Sequence, residues 1–313
     1  MIKLIVDTDI GSDCDDAGAL AIMCVLADEG KCEILAVTHS LSRQSGPAAI
    51  DAIHRYYGHA EIPVGTLKKA GYFPANITQP YSDALQREYE NAFPPGADCE
   101  DATALLRRQL AAQADNSVVM ATIGPLSNIR FLLESPPDAV SPLCGRELLN
   151  RKVRRICCMG GYFSNDFGGR EDTPVNGEFN IVSDILSAQI MVEQAQVPIV
   201  FIPWEAGAAV ITGSRLLEQA DSENPVYRSY ELFCNQPRES WDLCTVLYAV
   251  YPEAPCWGLS PPGEVLIMDS GITLFQEKAD GSHRILQVRD AAMAKKWLDA
   301  MLAAPPKYRC MPV

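Results

Sequence analysis

Short apolar runs and longer helical patterns alternate along most of this chain. The runs Leu4–Val6, Glu33–Thr38, Ile62–Gly65, Val118–Ile123, Arg155–Met159 and Pro198–Ile202 predict strands. Between them, the segments Asp16–Asp28, Pro47–Tyr57, Ala102–Gln113, Leu126–Leu133 and Ser183–Gln194 predict helices. In the second of these, Ala49, Ile50, Ile53 and Tyr57 recur at helical spacing behind Ser45 as a cap. Strands that take turns with helices mark βαβ units, so the expected fold is α/β: a single large domain with an open, mainly parallel sheet flanked by helices. Near the end, Gly271–Lys278 and Ser282–Val288 flank Asp280-Gly281 and predict a hairpin, followed by a terminal helix over Asp290–Ala303.

Two stretches break this rhythm. Ala70–Asp101 is rich in Pro, Gly, Asn and Tyr and reads as a long surface excursion, and Met159–Gly177 is too polar and glycine-rich for a core element. Long loops of this kind often cover or line a site. No repeat, low-complexity segment or linker divides the 313 residues.

Charge changes the picture at the first strand. Leu4-Ile5-Val6 runs into Asp7-Thr8-Asp9-Ile10-Gly11-Ser12-Asp13-Cys14-Asp15-Asp16, and no Lys or Arg lies between Lys3 and Lys31. A helix start needs one capping side chain, which leaves Asp7, Asp9 and the Asp15-Asp16 pair over. Crowded carboxylates disfavour one another's ionisation, and an all-oxygen set suits a hard cation, Ca²⁺ or Mg²⁺, better than zinc. The turn also follows a strand, the place where open α/β sheets bind ligands.

Three later segments carry polar groups into similar corners. Thr122-Ile123-Gly124-Pro125-Leu126-Ser127-Asn128 ends a strand and opens a helix; it offers either a backbone carbonyl to a metal or a plain turn capped by Ser127. In Asn176-Gly177-Glu178-Phe179-Asn180, Glu178 and Asn180 point the same way if the segment is extended; otherwise Asn180 or Ser183 caps a helix. In Ser240-Trp241-Asp242-Leu243, Asp242 is a cap or a carboxylate at the mouth of a site, and Trp241 is core or a flat wall for a ring.

Together these segments resemble the inosine–uridine-preferring nucleoside hydrolases. Asp7-Thr8-Asp9 with Asp15-Asp16-Ala17 is similar to that family's opening signature, with one extra loop residue that brings Asp13 along. Gly124-Pro125-Leu126-Ser127-Asn128, Met159-Gly160-Gly161, Glu178-Phe179-Asn180 and Asp242 match its later motifs in order. The resemblance implies hydrolysis of the N-glycosidic bond of ribonucleosides, with one Ca²⁺ held by Asp9, Asp16, Asp242 and the carbonyl of Ile123. It also implies that Asp9 is the general base, that Asp15 and Asn180 bind the ribose 2′- and 3′-hydroxyls together with Asp242, and that Glu178 binds the 5′-hydroxyl. A homodimer or homotetramer acting on a nucleoside or other N-riboside is expected. An array of carboxylates under a sugar suits an oxocarbenium-like transition state.

The chain departs from that pattern where the base would leave. Many members have a His before the final Asp; here Trp241 stands there, and a stacking role on the base is expected of it. None of the four histidines (His39, His54, His59, His283) lies in a motif. His39 follows a strand end and His54 sits on a predicted helix, and both read as structural. A Gly-Asn after the second strand is replaced by Thr38-His39-Ser40, and Asp172 and Asn176 are the candidates for a missing loop asparagine.

Composition narrows the remaining choices. With 48% hydrophobic and 21% charged residues this is an ordinary globular composition. A net charge of −14 argues against nucleic acid as a partner. Eleven cysteines show no CxxC pair and no zinc spacing, so they read as reduced, buried hydrophobes. No signal-peptide pattern or membrane-length apolar run is visible, which makes the cytoplasm the expected location. Two rival readings stand beside the hydrolase. Asp7-x-Asp9 also opens the aspartate-nucleophile phosphohydrolase motif, but Gly11 and the Asp15-Asp16 pair do not fit it. A metal-dependent ribose-binding protein that lost catalysis with the His is the other.

Overall fold

In the computed structural model, which describes residues 1–43, 45–69, 80–163, 177–220 and 223–307, the predicted alternation is realised. The first half runs β1 (Ile2–Thr8), α1 (Asp15–Asp28), β2 (Cys32–His39), α2 (Ser45–Tyr57), β3 (Val64–Thr66), α3 (Ser82–Glu88), β4 (Glu100–Asp101), α4 (Ala102–Ala111), β5 (Val118–Thr122), α5 (Ser127–Glu134), α6 (Gly145–Lys152) and β6 (Val153–Met159). The second half begins with α7 (Phe179–Ser183), α8 (Ile185–Gln194), β7 (Ile199–Ile202), α9 (Trp204–Ala208), β8 (Ile211–Thr212), α10 (Ser214–Gln219), α11 (Pro225–Phe233), β9 (Arg238–Glu239) and α12 (Trp241–Val250). It closes with β10 (Trp257–Leu259), β11 (Gly263–Ile267), β12 (Thr273–Glu277), β13 (His283–Val288) and α13 (Ala291–Leu302).

The strand order of the main sheet is β12-β11-β13-β7-β6-β5-β1-β2-β3-β4, with β10 paired to β13; from β13 to β4 every neighbouring pair is parallel. The chain leaves β1 toward β2, β3 and β4, then returns to β5 on the other flank of β1. That reversal puts a topological switch point between β1 and β5, the crevice where such sheets bind ligands. β8 and β9 form a separate antiparallel ribbon.

Alternation along β1 explains the two cores. Leu4 and Val6 face the layer that holds α1, α2, α12 and α13, whereas Ile5 faces the layer of α4, α5, α6 and α8. Helix α1 is buried on nearly every side (Ala17 to Leu26 all lie inside), as its unbroken apolar run requires. It packs against α12, which brings the first turn next to a corner more than two hundred residues away.

Three expectations are corrected. The hairpin is formed by β11 and β12, closed by a turn at Gly271 (φ 84°), while β13 pairs with β7 and β10; β11 therefore separates the two segments the Asp280-Gly281 signal was read as joining. Gly281 instead makes a local turn, its N–H on the Lys278 carbonyl at 2.9 Å. The helix predicted over Ser183–Gln194 starts at Ile185, because Asp184 leaves helical geometry (φ −152°) and caps it by accepting from the Ser187 N–H. The excursion Ala70–Asp101 contains α3 and β4, and residues 70–79 within it lie outside the described residues. No described helix is long and apolar enough to cross a membrane.

Candidate active site

At the switch point lies a cavity of about 300 Å³. Every residue assigned a role from the sequence lines it: Asp9, Asp15, Asp16, Ile123, Glu178, Asn180, Trp241 and Asp242. Five separate element ends deliver them, and in each case a local reason fixes the side chain.

Asp9 follows β1, and its Oδ2 accepts a hydrogen bond from the Ser12 hydroxyl at 2.9 Å. Gly124, one residue past Ile123, lets the β5 turn close on it; a Cβ there would lie 2.8 Å from the Asp9 nitrogen. Asp15 and Asp16 occupy the first turn of α1, where the helix dipole favours negative charge. The Thr8 hydroxyl donates to Asp16, and Asp15 accepts from the backbone N–H of Asp242 at 3.1 Å. That last bond ties the start of α12 to the start of α1. The loop between Asp9 and Asp15 is held by Tyr81, whose buried hydroxyl accepts from the Gly11 N–H at 2.9 Å and donates to the Asp13 carbonyl.

The Glu178 segment is helical from Phe179 on rather than extended, and Glu178 itself is the cap. Its carboxylate accepts from the N–H groups of Asn180 (2.8 Å), Ile181 (3.2 Å) and Gly161 (3.1 Å). Capping and lining the cavity are thus one role of one side chain. Asn180 donates to the Met159 carbonyl at 3.3 Å. Ser127 does not cap α5; its hydroxyl donates to Asp184 at 2.7 Å, and Asn128 reaches back to Asp7 at 2.7 Å. Asp7, bonded also by Thr38, sits behind the cavity rather than in it.

One carboxylate oxygen each from Asp15, Asp16 and Asp242 falls within 4.8 Å of the others. Asp9 stands outside that trio and lines the same cavity, its carboxylate engaged by Ser12. Burial raises the affinity of all these groups for protons. Asp15, Asp16 and Asp242 are pushed well above the usual carboxylate range by burial first, and neighbouring carboxylates add to it. Asp9 and Glu178 are each pushed up to about 7, again mainly by burial. Oxygen donors whose mutual repulsion two positive charges would relieve fit a hard divalent cation.

The far side of the cavity has another character. Trp241, with its Nε1 donating to the Trp204 carbonyl at 2.8 Å, stands 6.3 Å from the Trp204 ring at a 35° tilt. Gly207 makes room for it, since a Cβ there would come within 2.2 Å of the Trp241 ring. Trp204, Arg238 and Ser12 line the cavity and were not singled out from the sequence. Trp204 directly follows β7 and Pro203, so the strand-end rule that marked Asp9 would have found it. Arg238 sits on a two-residue strand with no pattern to mark it. None of the four histidines lines the cavity: His39 and His54 are fully buried, His59 meets Asp28 at 3.1 Å, and His283 Nδ1 accepts from Val265. Asp172 and Asn176 lie outside the described residues.

An open sheet with this reversal and an acidic floor at its crevice defines a recognisable class. The family model for inosine-uridine preferring nucleoside hydrolases matches residues 4–283, and the chain belongs to that family. It is 24% identical to the non-specific ribonucleoside hydrolase RihC of Escherichia coli over 272 residues, 82% of this chain and 83% of that one. Its fold is similar to that of the inosine-uridine preferring nucleoside hydrolase from Bacillus anthracis (TM-score 0.72, 17% identity, 97% of this chain and 99% of that one). It is likewise similar to a purine-preferring ribonucleoside hydrolase from Gardnerella vaginalis (TM-score 0.70, 20% identity, 96% and 98%).

Proposed function

We propose that this protein hydrolyses the N-glycosidic bond of ribonucleosides in a Ca²⁺-dependent reaction. The observation that carries this reading is the convergence of Asp15, Asp16 and Asp242 within 4.8 Å on the floor of a cavity also lined by Asp9, Glu178 and Asn180. Asp9, Asp16, Asp242 and the Ile123 carbonyl would hold the ion, with Asp15 beside them. When bound, Ca²⁺ neutralises the floor and fixes the ribose hydroxyls against it.

The chain's own groups then divide the work. Asp15, Asp242 and Asn180 take the 2′- and 3′-hydroxyls, and Glu178 takes the 5′-hydroxyl. Water attacks the anomeric carbon as Asp9 accepts its proton. The remaining carboxylates stabilise positive charge as it develops on the sugar, and Trp241 offers its face to the base. Fixed attack geometry alone contributes roughly 7–11 kcal/mol in well-oriented systems.

Steady-state ribose release from purine, pyrimidine and nicotinamide ribosides, with Ca²⁺ present, tests the reading; no release from any of them removes it. Asp9→Ala is expected to abolish turnover, and near-normal activity in that variant would remove Asp9 as the base. The lack of a histidine among the described lining residues favours one second reading, a binding protein without catalysis. Tight nucleoside binding with no hydrolysis on long incubation would select it. A homodimer or homotetramer located in the cytoplasm completes the proposal, to be checked by sedimentation and cell fractionation.

A further inference from the structure

We infer that Arg238 is the group that stabilises the departing base, by charge and hydrogen bonding rather than by proton transfer. This rests on the nucleoside-hydrolase reading above and goes beyond it by assigning the leaving-group side of the site.

Three observations carry it. Among the described residues that line the cavity, Arg238 is the one cationic side chain. Its guanidinium carbon lies 4.9 Å from the Trp241 ring, so its charge sits at the edge of the aromatic wall, where that wall meets the Asp13 loop of the acidic floor. It is also held rigidly. Nε and Nη2 donate to the Asp13 carboxylate at 3.1 and 2.6 Å, and Nη1 donates to Glu239 at 2.9 Å. A guanidinium has five N–H groups, and these bonds engage three of them. Two donors therefore remain for a substrate, on a cation whose position is set before the substrate arrives.

The chemistry requires such a group. As water attacks the anomeric carbon, the C1′–N electron pair withdraws onto the base, which leaves as an anion unless it is protonated on the way. An arginine does not release its proton at working pH, so it cannot serve as the acid. It can lower the energy of the charge that accumulates on the base, which then takes its proton from solvent. Preorganised donors of this kind typically supply 10²–10³-fold in rate.

The test compares two substrates with Arg238→Gln and Arg238→Lys. Inosine has a poor leaving group; p-nitrophenyl β-D-riboside has one that departs as a stable anion without help. R238Q is expected to lose on the order of 100-fold in kcat on inosine and less than about 3-fold on the p-nitrophenyl riboside. R238K, which keeps the charge, is expected to recover most of the loss on inosine. The p-nitrophenyl substrate also reports whether the carboxylate floor is intact. Should R238Q melt early because Asp13 is left unpaired, the double variant D13N/R238Q carries the same comparison without the stranded charge. Equal losses on the two substrates, or no loss on inosine, would overturn the assignment while leaving the hydrolase reading in place. If the wild-type protein released ribose from neither substrate, both would fall together.

Discussion

The floor of the cavity and its wall are built differently. The floor takes its carboxylates from the ends of β1, α1, α7 and α12, with β5 beside them. Each is seated by main-chain geometry or by a hydrogen bond that crosses the molecule, as between Asp15 and the Asp242 N–H. The wall takes Trp241 from the start of α12, Trp204 from a five-residue helix and Arg238 from a two-residue strand, and Arg238 is held by ion pairs with Asp13 and Glu239. A site that must place charge is thereby anchored to the sheet. A site that must choose a base is hung on segments that can vary without disturbing the sheet.

The floor should break first and hardest. Asp16→Asn or Asp242→Asn is expected to cost at least about 10³-fold in kcat, since each removes a charge assigned above to the proposed ion and the transition state. Steady-state assays check the rate. A differential scan with and without Ca²⁺ checks the cause, because the variants should also lose the ion-induced rise in Tm. A variant that keeps both would detach the trio from function.

Removal of the proposed ion from the wild-type protein should have an effect of the same order. Chelation is expected to abolish ribose release and to lower Tm by roughly 3–8 °C, as loss of a ligand held at about 100 times its Kd removes about 2.7 kcal/mol. Added Ca²⁺ should restore both. An unchanged Tm after chelation would mean that the buried carboxylates stay protonated and hold no ion.

The same contrast explains what could be read from the sequence. Strand–turn–helix corners announce themselves through apolar runs ending in Asp or Gly, so β1, β5 and the start of α12 were legible along with the residues they carry. The β11–β12 hairpin was not. Its partner choice depends on β13 inserting beside β7, a long-range pairing that a local Asp-Gly signal does not encode. Glu178 was legible as a candidate site residue, but its capping role was not, because the helix begins at Phe179, two residues earlier than a cap at Asn180 implied. Arg238 left no trace at all: a lone cation in a polar loop acquires meaning only once Asp13 and Trp241 stand next to it.

A smaller effect is expected at the wall. Trp204→Ala removes a ring beside Trp241 while the carbonyl that Trp241 bonds remains, so KM should rise about 10-fold with kcat changed less than about 3-fold. An equal fall in kcat would show that the wall aligns the reacting atoms, and the distinction between wall and floor would then weaken.

The smallest effect separates the floor's own response to acid from a background that opposes it. His54 is fully buried on α2 with neither ring nitrogen bonded, and burial lowers its pKa to about 3. A group so depressed contributes stability that is fully present above its unfolded value near 6.5 and is lost as pH falls toward 3. The floor has the opposite slope. Carboxylates raised by burial hold more protons in the folded state than in the unfolded one, so without metal they lose stability as pH rises from about 4 to 7. The two trends cancel in part between pH 4 and 6.5, and a denaturation profile of the metal-free protein should look flatter than either alone. His54→Leu keeps the volume and removes the histidine's share. Denaturant melts at pH 6.5 and 4.5 are then expected to show the variant gaining about 1–2 kcal/mol on the wild type over that interval. If the two proteins respond to acid alike, His54 is not the opposing group, and the buried His39, packed against Gly46 of the same helix, becomes the place to look.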